Sequence, residues 1–343
     1  MTKKAVVLND SNPDGVHFGC MRVMDAIRTG LSSRGIDILA VVPHATEWMK
    51  DPQWLAQVQA ADVIVINGEG TFHHGSRKAR WLLDAVEVAK QTGAKTALVN
   101  ALWQDNPADF AALAAELDDI YCRDSRSAEE LTRALGRHIE WFGDLSLYAA
   151  VPKPASDRTS TILLGDSVHS TVTRRIAALA RPLAEAGRTT RIVPVVNQLR
   201  QISPSLVGWR RMLRSALIRL RQRQFVRQFP ETHFAKTDIE YLAELQSCAL
   251  SVTGRFHAAC LALATETPFI AVSSNSWKME ALIEDVGLSH DRLVPIGRLD
   301  AECVSGRDWS FTPAELVRVR EYLATAQRSA DAMWDDILRS PTD

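Results

Sequence analysis

The first half of the chain alternates short apolar runs with amphipathic stretches. Residues 5–8, 36–42 and 63–66 are mainly apolar and rich in valine and isoleucine, which is typical of buried strands. Residues 18–34 repeat apolar side chains at helical spacing and end before Gly35. Strands that alternate with helices of this length predict βαβ units and a parallel sheet.

The alternation is interrupted once and then resumes. Residues 150–160 contain two prolines and several polar side chains, which favours an interdomain linker. Beyond it, four further strands are predicted, at 161–164, 191–196, 250–253 and 269–272. We therefore predict an α/β fold of two Rossmann-like domains whose parallel sheets face each other across a ligand-binding cleft.

The predicted domains are residues 1–150 and residues 151–312. Residues 313–343 read as an amphipathic helix with Pro313 in its first turn. We expect this helix to pack back on the first domain.

Composition narrows the class of protein. The chain has 343 residues, with 40 lysines and arginines against 41 acidic residues, so its net charge is −1. This balance excludes a protein that is basic all over for nucleic acid. No apolar run is long enough to cross a membrane, and the first one ends at Leu8, too early for a signal peptide. A cytoplasmic protein is expected.

One segment is much more basic than the rest of the chain. Residues 199–229 contain eight arginines and no acidic residue, so the remainder of the chain carries −9. Apolar residues recur there at helical spacing and include Trp209. Such a helix suits peripheral contact with anionic lipids at the inner face of the cytoplasmic membrane, or with an acidic or lipid-linked glycan. An ordinary surface helix with solvated arginines is the alternative.

Two polar turns follow strands of the first domain. Asn9 and Asp10 follow the first strand, and Glu69 stands between Gly68 and Gly70 after the third. Carboxylates at the end of a sheet can orient a sugar diol or accept a hydroxyl proton. Turn and capping roles are the alternative for Asn9 and Asp10.

Basic residues follow other strands. Arg123 comes at the end of one strand, and Arg255 and His257 come at a strand-to-helix turn where an anion is favoured. We expect these groups to bind phosphate or carboxylate, with His257 able to donate a proton. A cap salt bridge for Arg123 and a structural role for a buried His257 are the alternatives.

Three further candidates lie at strand ends of the second domain. Asp166 follows its first strand, and Ser274 and Lys278 follow its last predicted strand. Lys278 could add a charge to the same anion site. The sequence shows no cysteine and histidine spacing typical of a metal site, so none is predicted.

The motif Gly254-Arg255-Phe256-His257-Ala258 resembles the GRxHA turn of the polysaccharide pyruvyltransferase family. Arg123-Asp124-Ser125 is similar to that family's R-[DE]-S helix start, Lys278 occurs where the family often has lysine, and residues 68–70 occupy the place of its glycine loop. Two positions depart from the family: the turn from Asn9 to Gly15 differs from its N-x-G-D, and Glu69 replaces a glycine.

The resemblance implies a GT-B-like fold and transfer of the enolpyruvyl unit of phosphoenolpyruvate to a sugar hydroxyl pair, which forms a pyruvate ketal. The acceptor would be a cell-surface polysaccharide, as in exopolysaccharide or capsule synthesis, or its lipid-linked precursor. By this resemblance, residues 1–150 would bind the acceptor and residues 151–312 the anionic donor. Arg123 and Arg255 would hold the donor, and His257 would be the general acid or a phosphate ligand. A nearby carboxylate, Glu69 or Asp10, would take the hydroxyl proton. No cofactor is implied.

Two other functions stay open from the sequence. A glycosyltransferase using a UDP- or CMP-activated sugar would also need an arginine and histidine site for its diphosphate. A non-catalytic glycan-binding protein is the other alternative. Oligomeric state is not indicated by any pattern.

Overall fold

The computed structural model describes residues 2–149, 151, 158–199, 202, 206, 208–273 and 275–339. The chain divides into two compact units. Unit 1 comprises Met1–Pro13, Arg22–Tyr148 and Ala324–Asp343, and unit 2 comprises Asp14–Met21 and Ala149–Leu323. Residues 14–21 therefore belong to unit 2, although the sequence analysis assigned them to the first domain.

Unit 1 is built on a parallel sheet of six strands in the order β2-β1-β3-β4-β5-β6. The strands are β1 (Lys4–Asp10), β2 (Asp37–Pro43), β3 (Val63–His73), β4 (Lys95–Gln104), β5 (Asp119–Cys122) and β6 (Glu140–Trp141). The helices between them are α1 (Phe18–Ser32), α2 (Pro52–Gln59), α3 (Arg77–Leu83), α4 (Ala85–Thr92), α5 (Ala108–Ala114) and α6 (Ser125–Leu135).

Both faces of this sheet are buried, which explains why its strands read as continuous apolar runs. In β1, Ala5 and Val7 pack on one face, while Val6 and Leu8 pack on the other. The first face also receives the end of the last helix, through residues that include Trp334. Because successive side chains of a strand point to opposite faces, the same strands contribute to two separate cores, one on each face of the sheet.

Unit 2 holds a four-stranded parallel sheet in the order β10-β9-β7-β8. Its strands are β7 (Ile162–Ser167), β8 (Thr190–Ile192), β9 (Leu250–Gly254) and β10 (Phe269–Ala271). Its helices are α7 (Ser170–Ala177), α8 (Ala180–Glu185), α9 (Gly208–Gln228), α10 (Asp238–Ser247), α11 (Phe256–Ala264), α12 (Lys278–Val286), α13 (Ala301–Ser305) and α14 (Pro313–Leu338), whose last part lies in unit 1.

The α/β class with two parallel sheets is confirmed, and the differences from the predicted elements are local. The helical pattern of residues 76–92 predicts one helix, but the structure has two, α3 and α4, which meet at Asp84. The sequence predicts a loop over residues 67–75, after the third strand, but these residues are strand as far as His73. The reason is that β3 continues to pair with β4 beyond a register shift after Glu69. Within the described residues, no helix has the length and apolar content that crossing a bilayer requires.

Candidate functional site

Each sheet has a point where the strand order reverses, and ligands bind at such points in open α/β sheets. In unit 1 the reversal lies between β1 and β3, whose carboxyl ends carry Asn9, Asp10 and Glu69. In unit 2 it lies between β7 and β9, whose carboxyl ends carry Asp166 and Arg255. The topology therefore groups most predicted site residues into two clusters, one in each unit.

Arg255 is held in place by a buried carboxylate. Its Nε donates to Asp166 Oδ2 at 2.8 Å, and the other oxygen of Asp166 accepts from the backbone N–H of Val195 at 3.0 Å. Asp166 is 3% exposed, while the Arg255 side chain keeps 20% exposure. Asp166 was predicted to bind substrate, a role that stays a prediction. Here it orients a guanidinium that still reaches solvent.

The strand-to-helix turn that carries Arg255 depends on small residues. A Cβ on Gly254 would lie 2.7 Å from Cβ of Ser167, because β7 and β9 pair at this level. The hydroxyl of Thr253 accepts the backbone N–H of Arg255 at 3.0 Å. Helix α11 then begins at Phe256 and is buried over almost its whole length. The GRFHA segment therefore places Arg255 at a rigid helix start.

His257 lies in a buried cluster with two residues of the 14–21 segment. Its ring packs edge-on against His17 at a centroid distance of 5.2 Å, and its Nδ1 is 3.9 Å from Cys20 Sγ. A Cβ on Gly19 would lie only 2.1 Å from Cβ of His257. Glycine at position 19 is thus what admits the imidazole.

The surroundings of His17 favour the neutral form of its imidazole. Burial lowers its pKa well below the usual range, and the positive charges near it, including Arg255 and Lys278, lower the pKa further. Its Nδ1 accepts the backbone N–H of Cys20 at 3.4 Å, which leaves Nε2 to carry the ring proton. His17 therefore offers hydrogen bonding without adding charge.

A pocket of about 510 Å³ opens beside this cluster within unit 2. Three arginines line it, namely Arg174 of α7, Arg221 of α9 and Arg255. Ile218 and Phe225 of α9 supply apolar wall. The volume falls within the range of small-molecule sites, about 300–1,000 Å³. A pocket with this lining suits a small anion that also has an apolar part.

The same cluster contains the one group of potential metal ligands among the residues that the structure describes. Ligand atoms of His17, Cys20 and His257 lie within 4.8 Å of one another. The donor types resemble a zinc site. However, the charges that lower the pKa of His17 also oppose a dication there, and we assign no metal to the cluster.

Lys278 begins α12, and its Nζ donates to Asn275 Oδ1 at 2.9 Å. Its charge helps to lower the pKa of His17, although Lys278 does not line the pocket. Ser274, the other candidate after β10, lies outside the described residues.

The cluster of unit 1 is a hydrogen-bonded set of amides and carboxylates. Asn9 Nδ2 donates to the carbonyl of Asn67 at 2.6 Å and to Thr71 Oγ1 at 3.0 Å, and Asn67 Nδ2 donates to Glu69 Oε2 at 3.2 Å. Asn9 and Glu69 both have positive φ, at 73° and 32°. Strained, buried polar residues of this kind concentrate at binding sites.

His44 extends this set. Lys78 Nζ lies 3.1 Å from its Nε2, and Asn9 Oδ1 lies 3.1 Å from its Nδ1. Because an ammonium only donates, Nε2 accepts and Nδ1 carries the proton that Asn9 receives. Burial and then the Lys78 charge lower the pKa of His44, which agrees with a neutral ring.

Asp10 is the carboxylate of this cluster whose environment favours the protonated form. Burial raises its pKa, although the N–H of Asn12 and the charge of Arg28 act in the opposite direction. The nearby carboxylate of Glu69 raises the pKa further. A carboxylate with a raised pKa is suited to accepting a proton.

The glycines that flank Glu69 differ in their surroundings. A Cβ on Gly68 would lie 2.7 Å from the backbone of Ala101, so β4 excludes any side chain there. Gly70 is exposed, and no atom lies within 4 Å of its position for a Cβ.

Arg123 is in the interior of unit 1. Its side chain is 2% exposed, and Nη1 is 3.3 Å from Oδ2 of Asp144, which is also buried. Asp124 caps α6 by accepting the N–H of Ser127 at 2.8 Å. The ion pair with Asp144 gives Arg123 a structural role, and its predicted contact with the donor stays a prediction.

Sequence reasoning did not single out His17, Cys20, Arg174 or Arg221. The first two precede or begin a predicted helix, where they read as turn and core residues. Arg174 looks like an ordinary surface cation, and Arg221 was counted only as one of the eight arginines of residues 199–229, with no link to the anion site. One signal was available, because His17-Phe18-Gly19 comes directly after a glycine-containing turn at a helix start.

Comparison with known proteins adds independent information. The sequence model of the family described as polysaccharide pyruvyl transferase matches residues 17–276, more than half of the chain. The match includes His17, Arg255 and His257 but begins after Asn9 and Asp10. No curated protein matches the chain in sequence.

Solved structures show similarity in fold at low identity. UDP-GlcNAc 2-epimerase from Neisseria meningitidis bound to UDP-GlcNAc is 10% identical, with a TM-score of 0.55 over 98% of this chain and 99% of its own. The enzyme of the same name from Methanocaldococcus jannaschii is 11% identical, with a TM-score of 0.51 over 96% and 99%. A further UDP-N-acetylglucosamine 2-epimerase is 12% identical, with a TM-score of 0.57 over 98% and 96%. These similarities confirm the predicted GT-B-like fold.

Proposed function

The chain belongs to the polysaccharide pyruvyl transferase family, and we propose that it moves the enolpyruvyl unit of phosphoenolpyruvate onto a pair of sugar hydroxyls as a ketal. One observation carries the proposal: Arg255, oriented by Asp166, lines a pocket together with two further arginines. Phosphoenolpyruvate is a small trianion with an apolar methylene, which matches that lining.

In this proposal the donor binds in unit 2. Arg255 holds one anionic group of phosphoenolpyruvate, and Arg174 and Arg221 hold the other, since guanidinium groups bind phosphate and carboxylate bidentately. Lys278 adds positive potential. His17 contributes a hydrogen-bond donor without a further charge.

The chemistry balances without a redox partner. His257 donates a proton to C3 of phosphoenolpyruvate, which turns the methylene into a methyl group and leaves C2 electron-deficient. One sugar hydroxyl adds to C2 and loses its proton. A second hydroxyl then attacks C2, the bond from C2 to the phosphate oxygen breaks, and phosphate leaves with the second hydroxyl's proton.

We propose that the polar cluster of unit 1 binds the acceptor. Its amide and carboxylate groups, among them Asn9 and Glu69, suit hydroxyl groups and would repel phosphate. Asp10 takes the proton of the attacking hydroxyl, because its raised pKa makes it a stronger base than an ordinary aspartate. The acceptor is therefore a glycan with vicinal or otherwise paired hydroxyls, either free or lipid-linked.

Thermal unfolding with phosphoenolpyruvate tests the donor. At a hundredfold excess over its dissociation constant, the ligand should stabilise the protein by about 2.7 kcal/mol. Arg255→Gln should lose this shift. Arg298→Gln should keep it, because Arg298 is an exposed arginine of unit 2 that is not part of the pocket lining.

UDP-GlcNAc serves as the contrasting ligand, since one protein of similar fold binds it. Stabilisation by UDP-GlcNAc and none by phosphoenolpyruvate would overturn the donor assignment in favour of a nucleotide-sugar transferase. Release of inorganic phosphate from phosphoenolpyruvate, followed by ³¹P NMR with hexose-containing oligosaccharides, tests the reaction itself.

A further inference from the structure

Helix α9 presents two apolar faces on opposite sides. Ile218 and Phe225 are buried on the inner side, where they pack in unit 2 and line the pocket. On the outer side lie five large apolar residues: Trp209 (69% exposed), Met212 (72%), Leu213 (53%), Leu217 (42%) and Leu220 (52%). We call these five residues the α9 stripe. They are five of the eight exposed large hydrophobic residues in the described part of the chain.

The spacing of the α9 stripe makes it continuous. Its members follow one another by three, one, four and three residues, which keeps them on one side of a helix. From Trp209 to Leu220 the stripe is about 17 Å long at 1.5 Å per residue. An apolar strip of this length in contact with water marks an interaction surface.

Arginines border the stripe on both sides. By helical position, Arg210 lies at one edge of the stripe and Arg219 at the other. Arg223 lies on the same side of the helix as the stripe, about one turn beyond Leu220. All three are exposed. The guanidinium of Arg210 also lies over the Trp209 ring, 5.6 Å from its centroid. The helix contains no acidic residue to neutralise this charge.

The combination of apolar side chains and bordering arginines indicates which kind of partner can bind this surface. A second copy of the chain would bring two arginine-bordered stripes together, and like charges would oppose that contact. A nucleic acid would match the arginines but would leave five apolar side chains without a partner. An anionic bilayer surface matches both features, because lipid phosphates pair with arginine while tryptophan and leucine enter the interface.

We propose that the α9 stripe and its bordering arginines bind the surface of a bilayer containing anionic lipid, with α9 lying parallel to the membrane plane. The inner side of the same helix then keeps its place at the pocket. Binding at a membrane would bring unit 2 to a lipid-linked acceptor, but the interaction itself is independent of the proposed reaction.

Co-sedimentation of the full chain with lipid vesicles tests the proposal. The protein should bind vesicles of phosphatidylcholine with phosphatidylglycerol at low salt, and bind vesicles of phosphatidylcholine alone much more weakly. Replacing Arg210, Arg219 and Arg223 by Gln should weaken binding on the order of 100-fold at low salt. The difference should shrink at high salt, where exposed charges are screened.

Two further variants make the test specific. The triple change Arg181→Gln, Arg188→Gln and Arg298→Gln alters net charge equally at exposed positions of unit 2 outside α9, and should bind like the parent. Replacing Trp209, Leu213 and Leu220 by Ser should weaken binding about tenfold per side chain at any salt concentration. All these residues are exposed, so the unfolding temperature and the shift with phosphoenolpyruvate should be unchanged.

Several results would overturn the proposal. These are absence of vesicle binding by the parent, equal loss in the control triple variant, or full binding by the serine variant. A parent dimer that the serine variant converts to monomers would make a second copy the occupant of the stripe. Binding to a heparin column that survives the serine changes, without binding to vesicles, would point to a polyanion instead. Failure of the donor assignment would leave vesicle binding unaffected, so the two proposals can fail separately.

Discussion

At the scale of single residues, the two clusters differ in how they treat charge. In unit 2 the carboxylate of Asp166 is paired with a guanidinium and orients it. In unit 1 burial raises the pKa of Asp10, and the nearby carboxylate of Glu69 raises it further. The first arrangement prepares a cation for binding, and the second prepares a base.

Asp166→Asn should lower kcat/KM for phosphoenolpyruvate by about 10- to 100-fold, because a hydrogen bond to a charged group is weakened and Arg255 loses its orientation. The effect should appear mainly in KM. Phosphate release under steady-state conditions measures it. Asp291→Asn is the matched control, since Asp291 pairs with Arg307 at an exposed site. An Asp166→Asn enzyme with parental KM would contradict the positioning role.

Asp10→Asn should reduce turnover about 100-fold, the contribution typical of a general base. The same change should stabilise the fold at neutral pH. Because the folded-state pKa of Asp10 is raised, its protonated form supports the fold at low pH, and that support is lost as pH rises through the folded pKa.

The stability difference between Asp10→Asn and the parent should therefore vanish below the ordinary pKa of aspartate. Urea unfolding at acidic and neutral pH measures it. A variant that is less stable than the parent at neutral pH would show that Arg28 and the N–H of Asn12 outweigh burial.

At the scale of elements, each site lies at the carboxyl ends of two neighbouring strands where the strand order of the sheet reverses. Near these strand ends the close approach of other atoms requires Gly254, between β7 and β9, and Gly68, against β4. In α1, Gly19 leaves room for His257. These glycines are required by close approach rather than by backbone angle, as none of the three has a positive φ.

Gly19→Ala tests this close approach. In an open helix position alanine would be favoured by about 1 kcal/mol. Here its Cβ would meet the His257 ring, so we expect destabilisation of about 1–3 kcal/mol and loss of turnover. Gly297→Ala is the control, because no atom lies within 4 Å of its position for a Cβ. Equal stability of Gly19→Ala and the parent in urea unfolding would show that His257 moves away freely.

At the scale of the whole molecule, the last helix contributes to a core that begins at the first strand. Trp334 is fully buried with Ala5 and Val7 of β1, and a Cβ on Gly30 would lie 2.3 Å from its ring. The last part of α14 is thus in the core of unit 1.

Trp334→Ala should destabilise unit 1 by about 3–5 kcal/mol, the usual loss for a large aromatic residue removed from a core. Hydrogen exchange should rise in peptides from β1 and β3 and stay unchanged in peptides from β9. Trp209→Ala, at an exposed tryptophan, should change neither. Uniform loss of protection in both units would indicate that they unfold together.

The local patterns were sufficient for much of this protein. Short apolar runs that alternate with helical patterns predicted the two parallel sheets. Strand-end positions predicted that certain polar residues lie at the carboxyl ends of those sheets, namely Asn9, Asp10, Glu69, Asp166 and Arg255. Both conclusions rest on short-range rules of strand periodicity and of parallel topology, which one sequence contains. The arginine and apolar content of α9 was equally visible.

Only the tertiary structure decided which of these side chains meet. It paired Arg255 with Asp166, buried Arg123 against Asp144, and brought His17 and Cys20 beside His257 across more than two hundred residues. It also showed that α9 turns Arg221 toward a pocket and the stripe toward solvent. Such contacts depend on packing between distant segments, and burial and pKa follow from packing, so no local pattern determines them.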